Sequence, residues 1–115
     1  MAAITSYSFG RMVIDGTPFT GDVLIFPDGS ILNPWWRAAG HRLVMEDLEK
    51  LLAASPEVII AGTGASGLMK PAADLESKLR AMGIEFIALP TADAVTVFNE
   101  TSARQRAGGC FHLTC

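Results

Sequence analysis

The sequence lacks several features that mark whole classes of protein. Only 18% of its 115 residues are charged, and the nine basic residues form no cluster among the twelve acidic ones. Because nucleic-acid-binding surfaces carry a basic patch, this distribution argues against a nucleic-acid partner. The longest apolar run, at residues 58–61, is far shorter than the ~20 residues of a membrane-spanning helix. No secretory or transit signal is visible, so we expect a cytoplasmic protein with no membrane partner.

Cysteine is also scarce. The two cysteines, Cys110 and Cys115, lie close together near the end of the sequence. In an extended strand they would be ~16 Å apart and on opposite faces, which disfavours a disulfide between them. Neither has the neighbouring ligands of a zinc site or a residue that would stabilise a thiolate. We therefore predict no bound metal, no cofactor and no cysteine catalysis.

The sequence does have enough apolar material for a core, since half of its residues are hydrophobic. A domain of this length buries roughly 65% of the surface of its unfolded chain. We therefore expect residues 1–115 to form a single domain with its own core.

The first third of the sequence has the composition of strands and turns. Residues 9–14 predict a strand that ends at Asp15-Gly16, a strong turn dipeptide. Residues 23–26 and 31–32 predict a second hairpin around a Pro-Asp-Gly-Ser turn.

Further along, the apolar spacing is typical of helices that alternate with strands. It predicts a helix at residues 45–52, with Val44 as a poor N-cap, and then a strand at 58–61 that is buried on both faces. A second helix is predicted from Pro71 in its first turn to Gly83 as its C-terminal cap. The buried face of that helix is predicted to hold Leu75, Leu79 and Met82.

The remaining elements complete an α/β pattern. A strand is predicted at residues 84–89, then a third helix with Thr91 as its cap and Asp93 in its first turn, and a last strand at 110–114. Strands that alternate with helices predict a parallel portion in the sheet. We therefore predict a three-layer α/β fold, with a central mixed, mostly parallel sheet, helices on both faces and an N-terminal β-hairpin layer.

A glycine-rich segment, residues 62–67, follows the predicted buried strand. Its spacing satisfies G-x-G-x-x-G ahead of a predicted helix, where backbone N–H groups can hold an anion. A dinucleotide site would also need an acidic residue at the end of the next strand, where residues 88–90 are Ala-Leu-Pro. A phosphate loop would need a lysine directly after Gly67, but Lys70 comes two positions too late. A nucleotide site, a smaller anion near Lys70 and a purely structural turn all stay open.

Residues 33–41 form the other unusual segment, because they hold two adjacent tryptophans, an arginine and a histidine. Trp35 and Trp36 cannot both point into one core if the segment is extended, so one is expected at the surface or in a cleft. Such a set suits ligand stacking, anion pairing by Arg37 or an interface hot spot. It equally suits a tryptophan that covers the core edge, a snorkelling Arg37 and a turn capped by His41.

No complete catalytic set is visible in the sequence. His41 and His112 are the only histidines, and two imidazoles without an acidic ligand cluster do not make a metal site. Ser66 is not in a G-x-S-x-G elbow and has no adjacent base. A histidine near a strand end is commonly structural, and we predict no catalytic residue.

Several segments, taken in order along the chain, resemble a known family. They are Gly21-Asp22-Val23, Phe26-Pro27-Asp28-Gly29, Trp35-Trp36-Arg37 with Gly40-His41, Gly62-Thr63-Gly64 with Lys70, and Phe111-His112-Leu113-Thr114-Cys115. The family is a small domain of unknown function in bacterial and archaeal proteins. It also occurs in the adipogenesis-associated domain-containing protein of animals and in a mitochondrial complex I assembly factor. The resemblance covers about residues 14–115.

The resemblance implies an α/β fold with a central mixed sheet, helices on both sides and an extra β layer. It implies no enzyme activity, and through the assembly factor it implies protein binding. Because one fold hosts many functions, this second implication is an analogy.

Two functions are expected as alternatives. The first, which we favour, is a non-catalytic protein-binding or assembly module, with a protein partner or a second copy docking near the tryptophans. The second is a protein that binds a small anion between the glycine-rich loop and residues 33–41, with His41 as the proton-transfer candidate. It requires Lys70 and Arg37 to face the same space. The candidate ligand-binding residues are Gly62, Thr63, Gly64, Ser66, Lys70, Trp36, Arg37 and His41.

Overall fold

A computed structural model describes residues 2–115. Their strands are β1 (Ile4–Ser8), β2 (Arg11–Ile14), β3 (Thr17–Phe19), β4 (Val23–Ile25), β5 (Ile31–Leu32), β6 (Arg42–Leu43), β7 (Val58–Gly62), β8 (Lys70–Pro71), β9 (Glu85–Leu89) and β10 (Ala107–Phe111). A 3-10 turn at Met45–Leu48 leads into helix α1 (Glu49–Leu52), and the longer helices are α2 (Leu75–Ala81) and α3 (Thr91–Ser102). No helix in this part of the chain is long and apolar enough to cross a membrane.

The central sheet has five strands in the order β5-β4-β10-β7-β9. Strand β7 pairs in parallel with both β10 and β9, whereas β4 pairs antiparallel with β10 and β5. Two of the four pairings are therefore parallel, and they form the half of the sheet built from helix-connected strands. The fold is α/β with a mixed sheet, as predicted.

Strand β7 shows why both faces of this sheet are covered. Its five residues are all buried, and their side chains alternate between two cores. Val58 and Ile60 pack with α3 and with the separate sheet β1-β2-β3. Ile59 and Ala61 pack on the other side, with buried leucines of α1 and α2. The prediction of helices on both faces and an N-terminal β layer is confirmed.

The N-terminal strands differ in part from the prediction. Residues 4–8 form a strand that the sequence pattern did not indicate, while Phe9 and Gly10 form the turn into β2. Gly10 has a φ of +76°, and the Phe9 side chain is exposed, so neither extends the strand. The Asp15-Gly16 turn is confirmed, with positive φ at both residues.

The segment between β7 and α2 also differs from the prediction. Pro71 does not open the helix but ends the short strand β8, which pairs in parallel with β6. Helix α2 begins only at Leu75, so the glycine-rich segment does not lead directly into a helix. Met82 lies just after α2 with its side chain exposed, while Gly83 ends the helical region with a φ of +79° as expected.

Thr91 and the last strand need two further corrections. Helix α3 begins at Thr91, and its side chain makes no cap to the helix. The Thr91 hydroxyl instead donates to the His112 carbonyl at 2.7 Å and accepts the Gly64 N–H at 2.8 Å. A tertiary donor and a tertiary acceptor thus take the place of the local cap. The last strand runs from 107 to 111 rather than to 114, because Gly108 and Gly109 are pleated into the sheet beside β7.

The two cysteines are both free thiols, in agreement with the sequence analysis. Cys110 is fully buried in β10, and burial raises the pKa of its thiol to about 12. Its thiol is therefore neutral at physiological pH, which disfavours nucleophilic or redox chemistry.

Candidate functional site

One end of the central sheet, where β7 and β10 end and β4 begins, brings together polar residues that are distant in sequence. The antiparallel pairing of β10 with β4 places Phe111 opposite Val23. The residue that follows β10, His112, therefore meets the residue that precedes β4, Asp22. The carboxyl end of β7 lies at the same end of the sheet, and ligands commonly bind at the carboxyl ends of the strands in open α/β sheets.

Asp22 is the centre of this cluster. Its Oδ2 lies 2.8 Å from His112 Nδ1 and accepts a hydrogen bond from Arg37 Nη1 at 2.9 Å. Its Oδ1 accepts the Leu113 N–H at 2.8 Å. Both carboxylate oxygens thus have donors, as a largely buried charge requires.

Arg37 is nearly as buried as the core, with 4% of its side chain exposed. Besides Asp22, its guanidinium donates through Nη2 to the Gly40 carbonyl at 2.6 Å and stacks 4.7 Å from the Trp35 ring. A buried guanidinium with a carboxylate, a carbonyl and an aromatic face is fully neutralised and held in place.

Two groups lie within hydrogen-bond distance of His112 Nδ1: Asp22 Oδ2 at 2.8 Å, which as a carboxylate can only accept, and Arg37 Nη2 at 3.1 Å, which can only donate. The shorter contact, to the carboxylate, favours Nδ1 as the donor. Nε2 is buried and has no hydrogen-bond partner among the described residues. An imidazole oriented in this way has the arrangement of a general base, but it contacts no nucleophile in that part of the chain.

Two opposing effects act on the Asp22 carboxyl. Burial alone raises its pKa. The hydrogen bonds from the His112 ring, the Leu113 amide and the Arg37 guanidinium outweigh burial and hold that pKa below its ordinary value of 3.8.

This shift predicts a pH dependence of stability. Because the folded pKa of Asp22 lies below its unfolded value, the ionised carboxylate stabilises the fold above about pH 4, and the contribution disappears as pH falls through the folded pKa. Asp22→Asn removes the titrating group, so the free energy of unfolding of wild type should approach that of the variant at low pH. Urea unfolding of both proteins across this range measures the difference, with exposed Glu100→Gln as control. A difference that stays constant with pH would contradict the role given to Asp22.

The two tryptophans have opposite environments, as predicted. Trp35 is buried, and its indole N–H donates to the Asp47 carbonyl at 3.1 Å. Trp36 is 81% exposed. It lines a cavity of about 300 Å³ with Asp22, Arg37 and His112, and also an adjoining cavity of about 370 Å³.

The segment that carries Trp36 is anchored on both sides. The Trp35 N–H donates to the Asp22 carbonyl at 2.8 Å, and the Asn33 side chain donates to the Gly21 carbonyl at 2.7 Å. After the tryptophans, the Ala38 N–H donates to the Asp47 carboxylate at 3.1 Å. An exposed tryptophan on such a backbone is pre-organised for contact.

The chain matches the family described as "Protein of unknown function (DUF498/DUF598)" over residues 4–112. It belongs to this family.

Solved structures similar to this DUF498/DUF598 protein have the same fold. One named MT938 is 27% identical, with complete coverage of both chains and a TM-score of 0.84. The conserved hypothetical protein PH1505 from Pyrococcus horikoshii OT3 is 29% identical, with 97% of this chain and 98% of that chain covered and a TM-score of 0.82. A Bordetella pertussis protein described as a Mth938-like domain is 18% identical, with 97% of this chain and 85% of that chain covered and a TM-score of 0.70, which supports the fold alone.

The glycine-rich loop of this DUF498/DUF598 protein uses its N–H groups internally. Among residues 63–69, the N–H groups that donate to acceptors of the chain itself are those of Thr63, Gly64, Ala65, Gly67, Leu68 and Met69. Gly64 has a φ of +108°, and a Cβ there would collide with the backbone of Cys115. The loop therefore wraps closely around the segment that follows β10.

The predicted anion-binding residues do not line one common cavity, although the Lys70 N–H donates to the His41 carbonyl at 2.9 Å. Thr63, Ser66 and Lys70 line one cavity of about 360 Å³, whereas Arg37 lines the cavity beside Trp36, and no residue lines both. His41 is exposed and packs its ring edge-on against His112, with the ring centres 5.7 Å apart. Since Arg37 is already paired with Asp22, anion binding by the whole set stays a prediction that requires rearrangement.

Sequence reasoning missed Asp22 and treated His112 as a satisfied structural residue. That interpretation holds for His112 Nδ1 but not for its buried, unpartnered Nε2. Among the described residues, no group of three or more His, Cys, Asp or Glu side chains is arranged to hold a metal ion. The sequence signals were that Asp22 directly precedes a predicted strand and that both residues fall within the segments that resemble the family; which strands pair is a tertiary property.

Proposed function

We propose that this DUF498/DUF598 protein is a non-catalytic protein-binding module that contacts its partner through Trp36. The observation that carries the proposal is the large exposed indole on a backbone held by hydrogen bonds on both sides. Tryptophan is enriched among the residues that dominate interface energetics, and an anchored one loses little entropy on binding. The resemblance to a complex I assembly factor supports the same class of function by analogy.

The surroundings of Trp36 indicate the chemistry of the partner. We define the Trp36 face as Leu32, Pro34, Trp36, Glu46 and Glu49, which line the cavity of about 370 Å³ together with Leu24, Asp47 and Lys50. Its apolar floor suits an aliphatic or aromatic side chain. Its acidic rim suits lysine or arginine beside that side chain, so the proposed partner is a segment with an apolar anchor and flanking basic residues.

The proposed setting is the cytoplasm, where the two free cysteines would stay reduced. The alternative, a small anion near Lys70, has support only in the cavity that Lys70 lines with Thr63 and Ser66. The glycine loop lends it little, because six of the seven N–H groups of residues 63–69 already have acceptors.

The proposal is tested with displayed peptides that carry one tryptophan, phenylalanine or leucine flanked by lysine and arginine. Trp36→Ala is expected to raise the dissociation constants of the selected peptides by about 30-fold, in the range of an interface hot spot. The same variant should change the free energy of unfolding by less than about 0.5 kcal/mol, because the side chain is largely exposed. Isothermal titration and urea unfolding give the two values.

Phe9→Ala is the matched control, since Phe9 is another exposed aromatic residue, at the turn between β1 and β2. It should leave peptide binding unchanged. Equal loss of binding in both variants, or equal selection of peptides flanked by acidic residues, would contradict the Trp36 face as the binding surface.

A further inference from the structure

Strand β9 lies at one edge of the central sheet and has backbone groups without a neighbouring strand. Its Glu85 N–H donates to the Glu57 carbonyl at 3.1 Å, and its Leu89 carbonyl accepts the Thr63 N–H at 2.8 Å. In a parallel ladder, alternate residues bond to a given neighbour. The N–H and C=O groups of Phe86 and Ala88 therefore point away from β7, toward the free edge.

The other edge strands of the three-stranded and five-stranded sheets are polar, interrupted or short, whereas β9 is not. The Asn99 amide occupies both backbone groups of Ile4 at the start of β1, and three of the four residues that follow Ile4 in this strand are polar. Strand β3 contains Pro18, and β5 has only two residues. Strand β9 has five residues, four of them apolar, with no proline. A long apolar edge of this kind is a template for strand addition.

We propose that a second copy of this chain pairs its β9 antiparallel with the first, centred on Ile87. In this register Phe86 of each copy lies opposite Ala88 of the other. Both residues point their backbone groups outward, so the pairing forms four hydrogen bonds and uses all the free groups of the two edges. The two five-stranded sheets become one continuous sheet about a two-fold axis.

The side chains beside this edge are complementary to themselves in that orientation. Ala72, Ala73 and Glu76 line a groove of about 460 Å³ near Phe86, and the small alanines leave room for a second strand. Lys70 lies near the other end of the strand, with Ala88 and Leu89. Antiparallel pairing brings the Glu76 end of one copy toward the Lys70 end of the other, and Glu85 toward Leu89 rather than toward another acid. Glu76 also pairs with Arg80 of its own helix at 3.4 Å, but this ion pair is exposed, with 60% of the Glu76 side chain accessible.

The first test is the mass of the whole chain by sedimentation equilibrium, up to millimolar concentration. We expect a species of twice the 12.2 kDa chain mass. Amide hydrogen exchange resolved by residue gives an internal control. The Phe86 and Ala88 amides should become protected as concentration rises, while the Ile87 amide, bonded to β7, should be protected throughout. A monomer at every concentration, or a dimer that leaves the Phe86 and Ala88 amides unprotected, would overturn the proposal.

Two variants test the interface, one through its backbone hydrogen bonds and the other through a side-chain charge. Ala88→Pro removes an outward N–H from each copy, two of the four hydrogen bonds, and should raise the dimer dissociation constant about 100-fold. Glu76→Lys breaks the exposed ion pair with Arg80, but because exposed i,i+4 pairs contribute little to stability, the variant should still fold. It should weaken the dimer about 5-fold, with recovery in the charge-swapped Glu76→Lys/Lys70→Glu protein. A dimer unaffected by a folded Ala88→Pro protein would refute this pairing, and if Ala88→Pro folds poorly, a dimer unaffected by Glu76→Lys would refute it.

Glu49→Lys is the matched control for charge, because Glu49 is an exposed glutamate on the Trp36 face. It should leave the dimer dissociation constant unchanged while it weakens the binding of basic peptides. Trp36→Ala should likewise leave the dimer unchanged. Failure of the dimer and failure of the proposed peptide-binding function are thus separate results.

Discussion

Asp22→Ala is expected to lower the free energy of unfolding by about 3–5 kcal/mol, the usual cost of removing one partner of a buried ion pair. The reason is the Arg37 guanidinium, which would keep its charge in a site where only 4% of its side chain is exposed. The Leu113 N–H and His112 Nδ1 would lose their acceptor as well. Urea unfolding at neutral pH measures the loss.

A double-mutant cycle separates this effect from simple loss of packing. Arg37→Met in the Asp22→Ala background removes the unpaired charge and should restore part of the stability, since apolar replacements of a buried pair are often tolerated. Asp28→Ala is the control, because Asp28 is exposed and bonds only within its own turn to Ser30. A loss below about 1 kcal/mol for Asp22→Ala would mean that the cluster is not an organising ion pair.

Phe111→Ala is expected to cost about 3–5 kcal/mol, the range for a buried aromatic residue. Its ring is fully buried and meets the Phe98 ring edge-on, with centres 5.6 Å apart. The ring also covers two glycines, because a Cβ on Gly109 would lie 2.5 Å from it and one on Gly62 would lie 2.7 Å from it. Thermal and urea unfolding both measure the change.

Gly109→Ala tests whether this close packing explains the glycine. By itself it should destabilise the fold by about 1–3 kcal/mol through overpacking against Phe111. In the Phe111→Ala background the closest clash is gone and only Phe98 Cε1, 3.0 Å from the Cβ position, still crowds the added methyl. The two single losses should therefore sum to more than the double variant shows. Gly40→Ala is the control, since nothing lies within 4 Å of its Cβ position. Strict additivity would contradict the packing explanation.

The glycine-rich loop illustrates how a local pattern can indicate the wrong context. Its G-x-G-x-x-G spacing predicted a turn into a helix, but the chain first forms β8 beside β6. Gly64 is needed there because its φ is +108° and the backbone of Cys115 passes against it. Glycine spacing indicates that another group approaches the backbone closely, but it does not distinguish a ligand from another segment of the chain.

Local chemistry in the sequence was sufficient for most elements of the fold. The continuous apolar run of β7, the Asp15-Gly16 turn and the Gly83 helix end follow from side-chain period and backbone freedom, which act over a few residues. The exposure of one of two adjacent tryptophans follows from the same geometry. The α/β class and its two covered faces were predictable for this reason.

Only the tertiary structure decided the contents of the candidate site. Asp22 and His112 meet because β4 pairs with β10, and the hydrogen bonds that align these strands are the same for any residues that flank them. The burial of Arg37, the choice of Trp36 over Trp35 for the surface and the free edge of β9 depend in the same way on which elements are neighbours. Side-chain period determines which face of an element is buried, whereas contacts between distant residues are determined by packing of the whole chain.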